Sequence, residues 1–203
     1  MEKIGIFGGT YNPPHVGHLN IAEQFVEAYG LDRLLIIPTY VPPHKVSPNL
    51  ASCEDRIAMC NATFTDPVYE VSTIEIDRKG KSYTHDTLKE LKGIYKDAKF
   101  YFLCGDDMLL SLHTWYKPKD ILKYCTIVAA VRTDGFSYDV LKDYAVSRYR
   151  GPYEGGKIQF LEIDPMELSS TEIRNKIKSG EKIDKLVTKE TLAYINSRGL
   201  YSD

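Results

Sequence analysis

The sequence contains no long apolar run and almost no excess of charge of one sign. No stretch approaches the ~20 apolar residues that a membrane-spanning helix needs, so we expect no contact with a membrane. The formal net charge is only -2, which argues against a nucleic-acid partner, because proteins that bind nucleic acid usually carry a basic surface. With 27% charged and 43% hydrophobic residues, the composition is that of an ordinary globular protein.

Cysteine is scarce, and no Cys-x-x-Cys spacing occurs among Cys53, Cys60, Cys104 and Cys125. We expect these thiols to be reduced, as in a cytoplasmic protein, and to serve partly as small core residues. No signal peptide is visible, since Met1 leads almost directly into an apolar strand pattern. Internal repeats and domain linkers are also lacking, which predicts a single domain over residues 1–203.

Strand-like and helix-like patterns alternate along the chain. Apolar runs typical of buried strands occur around Ile4 and Ile6 and at 33–38, 68–77, 100–104, 126–131 and 158–163. A strand, a helix and a strand at this spacing form a parallel βαβ unit. The sequence therefore predicts an α/β fold: a Rossmann-like doubly wound sheet, mostly parallel, with a small C-terminal helical portion.

The most informative stretch joins the first strand to the first helix. Gly8 and Gly9 lack side chains, so a ligand can approach the backbone closely beside the hydroxyl of Thr10. Free N–H groups and the positive end of the helix dipole favour an anion at this point. His15 and His18 lie three residues apart at the helix start, where their N–H groups can contact phosphate oxygens. The stretch predicts a polyphosphate site, although it matches neither the dinucleotide fingerprint nor the phosphate loop.

The two histidines also have other interpretations. One histidine at a helix start is most often a surface or capping residue, and two at this spacing can be metal ligands. No third ligand with zinc spacing lies nearby. Together with the glycines and the preceding strand, the pattern favours a nucleotide over a metal centre.

Further candidate residues follow later strands. In an open α/β sheet, ligands bind beyond the carboxyl ends of the strands. His44 and Lys45, in a proline-rich loop after the second strand, are candidates for contacting phosphate, and the alternative for the lysine is plain solvation. Gly105 and Asp107 follow the strand at 100–104. A carboxylate there can accept hydrogen bonds from a ribose, help to order a metal–phosphate group, or cap the next helix.

Two stretches suit a carboxylate or a ring. Tyr83 and Thr84 precede a helical pattern whose free N–H groups can hold a carboxylate, with a plain N-cap as the structural alternative. Trp115 lies in a polar loop, where its flat side chain can stack on a ring or anchor the loop to the core. Arg56, on a helix that Ser52 is placed to cap, either faces the site or is solvated.

A cluster of hydroxyls and an arginine lies near the C-terminus: Ser169, Ser170, Thr171 and Arg174. Ser169 and Glu172 fit a capping box. Three hydroxyls and an arginine at a helix N-terminus also make a phosphate clamp, in which the guanidinium supplies a fixed charge and a forked donor geometry.

Two segments resemble signatures of a known superfamily. Gly-Gly-Thr-Tyr-Asn-Pro-Pro-His-Val-Gly-His at 8–18 and Ser-Ser-Thr-Glu-Ile-Arg at 169–174 resemble the two signatures of the nucleotidyltransferases with a His-x-Gly-His motif. That superfamily makes dinucleotides and activated intermediates from a nucleoside triphosphate and releases pyrophosphate. Phosphopantetheine adenylyltransferases share both signatures, but they are usually shorter and lack the middle pattern described next.

The middle of the chain is similar to bacterial nicotinate-nucleotide adenylyltransferases. The similar stretches are Val-Pro-Pro-His-Lys at 41–45, Ser-Tyr-Thr at 82–84, Phe-Leu-Cys-Gly-Asp-Asp at 102–107 and Thr-Trp-Tyr at 114–116. The resemblance runs from residue 3 to residue 201. Tyr11 and Asn12 stand where Phe and Asp are frequent, so position 12 offers no carboxylate, and Leu168 replaces a frequent isoleucine. Neither change removes a histidine or the arginine.

The resemblance implies a single nucleotidyltransferase domain that moves AMP from ATP to nicotinate mononucleotide, giving nicotinate adenine dinucleotide and pyrophosphate on the route to NAD. It implies three catalytic residues: His15, His18 and Arg174. It implies an ATP-binding set: Gly8, Gly9, Thr10, Gly105, Asp107, Ser169, Ser170 and Thr171. It implies a mononucleotide-binding set: His44, Lys45, Tyr83, Thr84 and Trp115. Mg2+ is implied on the ATP phosphates, with no metal held by the protein itself. The alternatives are preference for nicotinamide mononucleotide and a nucleotide-binding regulator without turnover; a homo-oligomer is left open.

Overall fold

The structure is a computed structural model that describes residues 1–41, 49–132, 137–149, 157–164 and 166–202. The strands are β1 (Lys3–Gly9), β2 (Arg33–Pro38), β3 (Tyr69–Val71), β4 (Lys99–Gly105), β5 (Cys125–Arg132) and β6 (Ile158–Ile163). The helices are α1 (Val16–Tyr29), α2 (Cys53–Thr63), α3 (Ile74–Arg78), α4 (Thr84–Ile94), α5 (Asp106–Ser111), α6 (Pro118–Tyr124), α7 (Ser137–Tyr149), α8 (Ser170–Lys178) and α9 (Lys189–Arg198), with a 3-10 turn at Leu112–Thr114.

Across these described ranges the strands form one six-stranded sheet in the order β3-β2-β1-β4-β5-β6. β4 pairs in parallel with β1 and with β5, and β5 pairs in parallel with β6. This strand order, with helices between successive strands, is that of a Rossmann-like doubly wound fold. The predicted fold class is confirmed, and α8 and α9 form its C-terminal helical portion.

Burial explains the apolar character of the inner strands. The register places Ile4 beside Phe100 and Ile6 beside Phe102, and all four side chains are buried, as expected for a parallel sheet covered on both faces. Between the two isoleucines, a Cβ at Gly5 would lie only 2.5 Å from a Leu31 methyl carbon. Glycine at this position therefore allows a close approach that no other residue would permit.

The chain divides into two compact units. The first consists of Met1–Phe7, Gln24–Leu34 and Tyr83–Pro165, and the second consists of Gly8–Glu23, Leu35–Ser82 and Met166–Asp203. The core of the first unit lies along β4 and β5, where Phe100 and Val128 are buried. In the second unit, Met59 of α2 packs in a buried cluster with Ile173 of α8 and Ile195 of α9.

The strand predicted for residues 68–77 is wrong in its second half. β3 ends at Val71, and the chain then coils into the short helix α3. Thr73 donates from Oγ1 to a carboxylate oxygen of Asp77 at 2.6 Å, and side chains four residues apart meet in this way only on a helix. The alternation of Ile74 and Ile76 fits a strand, but the pairing of the flanking polar side chains requires the helical turn.

The helix ends follow the predicted capping signals. The hydroxyl of Ser52 accepts from the Asp55 N–H at 3.0 Å at the start of α2, and that of Ser169 accepts from the Glu172 N–H at 3.1 Å at the start of α8. Gly199 ends α9 with a φ of 60°, in the left-handed region that glycine tolerates. In the parts of the chain that the structure describes, no helix is both long and apolar enough to cross a membrane.

Candidate active site

His15 and His18 cap the start of α1 together. The His15 carbonyl accepts from the His18 N–H at 2.9 Å and from the Leu19 N–H at 3.2 Å. In return, the His15 N–H donates to Nδ1 of His18 at 3.2 Å. This is one half of a capping box, in which the side chain of the third helical residue reaches back to the N-cap N–H; the His15 side chain does not supply the other half. A histidine here takes the place that glutamate or glutamine usually holds.

The two imidazoles lie against each other, and Gly17 makes room for one of them. Their ring centroids are 3.7 Å apart with the planes tilted by 41°. A Cβ at Gly17 would lie 3.0 Å from Nδ1 of His15. His15 is only 6% exposed, and its Nδ1 has no hydrogen-bond partner among the described residues. The space that a side chain at position 17 would need is thus filled by the His15 ring.

Burial keeps both imidazoles neutral at pH 7. It lowers the pKa of His15 to about 4, and burial followed by the proximity of His15 lowers the pKa of His18 well below its usual value. Because the His15 N–H occupies Nδ1 of His18, the neutral His18 carries its proton on Nε2. In the free protein the pair thus offers neutral N–H donors.

Arg174 and Ser170 hold the segment that leads to His15. Nη1 of Arg174 donates to the Asn12 carbonyl at 2.7 Å, across 162 residues of sequence. The Ser170 hydroxyl donates to the Pro13 carbonyl at 2.8 Å. Nη2 of Arg174 also donates to the Thr171 hydroxyl at 3.1 Å, while Ser169 is engaged as the cap of α8. The structure therefore brings the C-terminal hydroxyl–arginine cluster onto the loop that carries the histidines.

Arg56, on α2, is buried against the same loop rather than solvated. It is 1% exposed and donates to the Thr10 carbonyl at 3.0 Å and to the Ala51 carbonyl at 3.2 Å. The guanidiniums of Arg56 and Arg174 thus donate to two backbone carbonyls, those of Thr10 and Asn12, that lie two residues apart in one loop. Sequence reasoning left the place of Arg56 open, because an arginine on a helix is usually solvated.

The Tyr11 ring packs against one of the two glycines at the end of β1. A Cβ at Gly9 would lie 3.0 Å from the Tyr11 ring, and that ring is 1% exposed. Tyr11 has a φ of 51°, in the left-handed region, and its ring centroid lies 5.2 Å from that of His18. Gly8, by contrast, would place a Cβ in open space. Backbone at Gly8 and Thr10 is half-buried and remains open to a ligand.

Gly105 and Asp107, in the first unit, lie where β4 turns into α5. Oδ1 of Asp107 accepts from the Met108 N–H at 2.8 Å, and a Cβ at Gly105 would lie 2.8 Å from the same oxygen. The carboxylate thus pairs with an N–H of the first turn of α5, whose N-cap is Gly105 and has no side-chain cap. Asp107 is exposed, so it can also accept hydrogen bonds from a ligand.

The first unit also brings the predicted ring-binding stretches together. Tyr83 is the N-cap of α4, and no side chain caps that helix. Its ring lies 5.0 Å from the ring of Tyr116, the neighbour of Trp115. Trp115 is half-buried, with its ring edge-on to Phe102 at 6.1 Å. The packing on Phe102 is the loop anchor that the sequence allowed.

His44 and Lys45 lie outside the described residues. Among the described residues, no group of three His, Cys, Asp or Glu side chains lies where it could hold a metal ion. The donors around the histidine loop are imidazole, guanidinium and hydroxyl groups, which suit phosphate oxygens rather than Mg2+, a cation that prefers oxygen ligands such as carboxylates.

Sequence comparisons match this chain over nearly its whole length. The cytidylyltransferase-like family model matches residues 6–176. A probable nicotinate-nucleotide adenylyltransferase of Lactiplantibacillus plantarum is 38% identical over 98% of this chain and 88% of its own length. A protein of the same description from Thermoanaerobacter sp. is 38% identical over 98% of this chain and 94% of its own.

A solved structure shows the same fold. The nicotinic acid mononucleotide adenylyltransferase of Plasmodium falciparum, solved in complexes with APC and with NaAD, has a TM-score of 0.76. It is 16% identical, and the match covers 99% of this chain and 98% of that one. At this sequence identity the similarity shows the fold alone, and it covers nearly the whole of both chains.

Proposed function

We propose, from the premise that this chain belongs to the cytidylyltransferase-like family and within it to the nicotinate-nucleotide adenylyltransferases, that it transfers AMP from ATP to nicotinate mononucleotide. The products are nicotinate adenine dinucleotide and pyrophosphate, so the enzyme acts in NAD biosynthesis. The observation that carries the proposal is the hydrogen bond from Arg174 to the Asn12 carbonyl at 2.7 Å. It joins the second signature of the superfamily to the loop of the first.

His15, His18 and Arg174 are the proposed catalytic residues. An oxygen of the mononucleotide phosphate attacks the α-phosphorus of ATP. The new P–O bond forms as the bond from the α-phosphorus to the bridging oxygen breaks, and that electron pair leaves with pyrophosphate. The attacking phosphate has its second pKa near ~6, so it needs no general base at pH 7. Charge stabilisation and positioning then supply the rate.

The charges divide between fixed and neutral donors. Neutral His15 and His18 offer N–H groups to the α-phosphate, where negative charge develops. Arg174, with its permanent charge, holds the pyrophosphate together with Ser169, Ser170 and Thr171. Gly8, Gly9 and Thr10 line the triphosphate, because backbone there is open to close approach. Gly105 and Asp107 border the ribose of ATP.

The mononucleotide is assigned to a separate set of residues. Tyr83 and Thr84 offer backbone N–H groups at the uncapped start of α4 to the pyridine carboxylate, and Trp115 stacks on the ring. His44 and Lys45 contact the phosphate. The uncapped helix start supports this assignment, since an anion is favoured beside unpaired N–H groups. A carboxylate there gains more than an amide, which supports nicotinate over nicotinamide mononucleotide.

Mg2+ belongs to the substrate rather than to the protein. It comes with ATP, held by phosphate oxygens and water. We further assign the chain to the cytoplasm and to a single nucleotidyltransferase domain over residues 1–203, within which the family model spans 6–176. No homo-oligomer is needed for the proposed chemistry.

Pyrophosphate release tests the proposal directly. The purified chain is incubated with ATP, Mg2+ and either nicotinate mononucleotide, nicotinamide mononucleotide or another phosphorylated acceptor. We expect release with nicotinate mononucleotide and a lower kcat/KM with the amide. Release that is faster with the amide would reverse the specificity, and no release with any acceptor would favour a nucleotide-binding regulator instead.

A further inference from the structure

Tyr201, near the C-terminus, reaches the loop of the first signature. Its hydroxyl donates to Oδ1 of Asn12 at 2.8 Å, across 189 residues of sequence. Asn12 is the position at which this sequence departs from the Asp that is frequent in similar proteins. The proposed function gives neither residue a role, yet they meet three residues before His15.

Both polar atoms of the Asn12 side chain help to hold this loop. Oδ1 also accepts from the Ala51 N–H at 3.0 Å, and Nδ2 donates to the Asn49 carbonyl at 3.1 Å. The backbone carbonyl of Asn12 accepts from Arg174, and the residue is only 2% exposed. The buried side chain of Asn12 thus connects the histidine loop to the segment before α2 and to the C-terminus, and its backbone carbonyl connects the loop to α8.

The donor at Nδ2 explains why an amide rather than a carboxylate stands here. The Asn49 carbonyl can only accept a hydrogen bond, so an ionised aspartate in its place would set two acceptors against each other. The two bonds to Oδ1 would survive that exchange, since a carboxylate oxygen accepts as well as an amide oxygen. Asparagine is therefore matched to the backbone of this particular chain.

Tyr201 is itself held in a defined position. Its φ is 66°, a left-handed conformation that is unfavourable for a non-glycine residue. Its ring packs against the buried cluster that includes Met59, Ile173 and Ile195. Burial raises the pKa of the phenol, and the nearby guanidiniums of Arg174 and Arg56 only partly oppose this, so the hydroxyl keeps its proton and remains a donor.

We propose that Tyr201 is a positioning residue for adenylyl transfer, acting through Asn12 to fix the loop that carries His15 and receives Arg174. The inference rests on the proposed function, because it concerns the alignment of groups assigned to the α-phosphate and the pyrophosphate. Misalignment of these groups lowers kcat more than it weakens binding of the mononucleotide, which is assigned to other residues.

The test compares two tyrosines that each lose only a hydroxyl. In Tyr201→Phe we expect kcat for pyrophosphate release to fall by roughly fivefold to tenfold, the factor that one hydrogen bond supplies, with KM for nicotinate mononucleotide unchanged. Tyr194→Phe is the matched control, because the Tyr194 hydroxyl donates to buried Asp55 at 2.9 Å away from the loop. It should lower the melting temperature at least as much while leaving kcat as in the wild type.

A double-mutant cycle then assigns the effect to Asn12. In an Asn12→Ala background, adding Tyr201→Phe should change kcat no further, because the acceptor is already absent. In an Asn12→Asp background, which keeps the acceptor and serves if the alanine variant does not fold, Tyr201→Phe should still lower kcat by the original factor.

Several outcomes would overturn the inference. The first is a Tyr201→Phe enzyme with wild-type kcat, and the second is an equal loss of kcat in Tyr194→Phe. The third is a double variant in which the separate losses of kcat from Tyr201→Phe and Asn12→Ala multiply. All three leave the proposed function standing, since the wild type still releases pyrophosphate in them. A wild type that releases none with any acceptor refutes both the function and the inference.

Discussion

The backbone N–H of His15 donates to Nδ1 of His18, and this bond fixes which nitrogen of the neutral His18 ring carries the proton. The neutral ring must carry its proton on Nε2. The two histidines of the motif are therefore not equivalent: His15 closes the start of α1 with its backbone, and His18 returns that bond with its side chain. The N–H donor of the neutral His18 ring is therefore Nε2–H.

Substitutions at His18 should follow this tautomer. Glutamine places an amide N–H near the position of Nε2, and asparagine places its amide near Nδ1, so we expect kcat to fall in the order wild type, His18→Gln, His18→Asn. His18→Ala should lose about 100-fold or more, as for other single oxyanion donors, with a smaller effect on KM for ATP. Steady-state kinetics with ATP varied would measure this, and an asparagine variant more active than the glutamine one would contradict the assignment.

Gly17→Ala should impair turnover without unfolding the protein. Alanine favours helix by about 1 kcal/mol over glycine, but its Cβ would displace the His15 ring from a contact of 3.0 Å. We expect kcat to fall by roughly tenfold or more, since small misplacements at a reacting centre are costly. Gly93→Ala is the control: it lies in α4, where a Cβ meets nothing within 4 Å. It should raise the melting temperature and leave kcat unchanged.

Acidification should destabilise the free protein through its histidine pair. His15 has a pKa of about 4 in the folded protein against about 6.5 when unfolded, so the unfolded chain binds more protons between these values. Stability therefore rises with pH across this window and falls on acidification. The loss attributable to His15 is roughly 3 kcal/mol at pH 4.

Urea unfolding at several pH values measures this effect. Between pH 6.5 and pH 4, the free energy of unfolding of a His15→Asn variant should fall less steeply than that of the wild type. Parallel pH profiles for the two proteins would show that His15 titrates normally in the folded state, contrary to the expectation.

Trp115→Ala should act on the mononucleotide rather than on ATP. The indole is half-buried and packs edge-on against Phe102. Under the proposed assignment, the pyridine of the mononucleotide stacks on this indole, so removing it takes away the stacking surface. We expect KM for nicotinate mononucleotide to rise about tenfold, in line with an aromatic contact of ~1 kcal/mol plus lost burial, with KM for ATP within twofold of wild type. Trp115→Phe should recover most of the loss. An effect confined to ATP would reverse the assignment.

Arg56→Met should destabilise the fold. The change leaves the carbonyls of the half-buried residues Thr10 and Ala51 without the donors that Arg56 supplies. A hydrogen bond from a charged group contributes roughly 1.5–3 kcal/mol, so the loss of both should lower the free energy of unfolding by about 3 kcal/mol. Arg148→Met, at an exposed position of α7, is the control and should change it by less than about 1 kcal/mol. Equal effects on urea unfolding would mean that the Arg56 contacts contribute nothing specific.

Local patterns predicted the elements well where one signal dominated. The bounds of β2 and β6 agree with the apolar runs at 33–38 and 158–163, because a short continuous apolar run is buried most readily as a strand of a covered parallel sheet. The run at 68–77 combines apolar alternation, which is typical of a strand, with polar residues spaced four apart, which is typical of a helix. In the structure the hydrogen bond between Thr73 and Asp77 stabilises a helix in its second half. Apolar alternation is a weak guide when the flanking polar residues can pair across a helical turn.

The sequence by itself determined the chemistry of this protein. The paired histidines, the glycines before them and the hydroxyl–arginine cluster indicate a triphosphate site and a superfamily, and the similar stretches in the middle of the chain indicate the nicotinate-nucleotide adenylyltransferases within it. Tertiary structure alone decided which groups hold those donors in place. Arg56, Asn12 and Tyr201 are ordinary residues in the sequence, and their importance arises from hydrogen bonds between segments up to 189 residues apart. No local pattern encodes such bonds, since they exist only after the core has packed and brought buried polar groups within reach of each other.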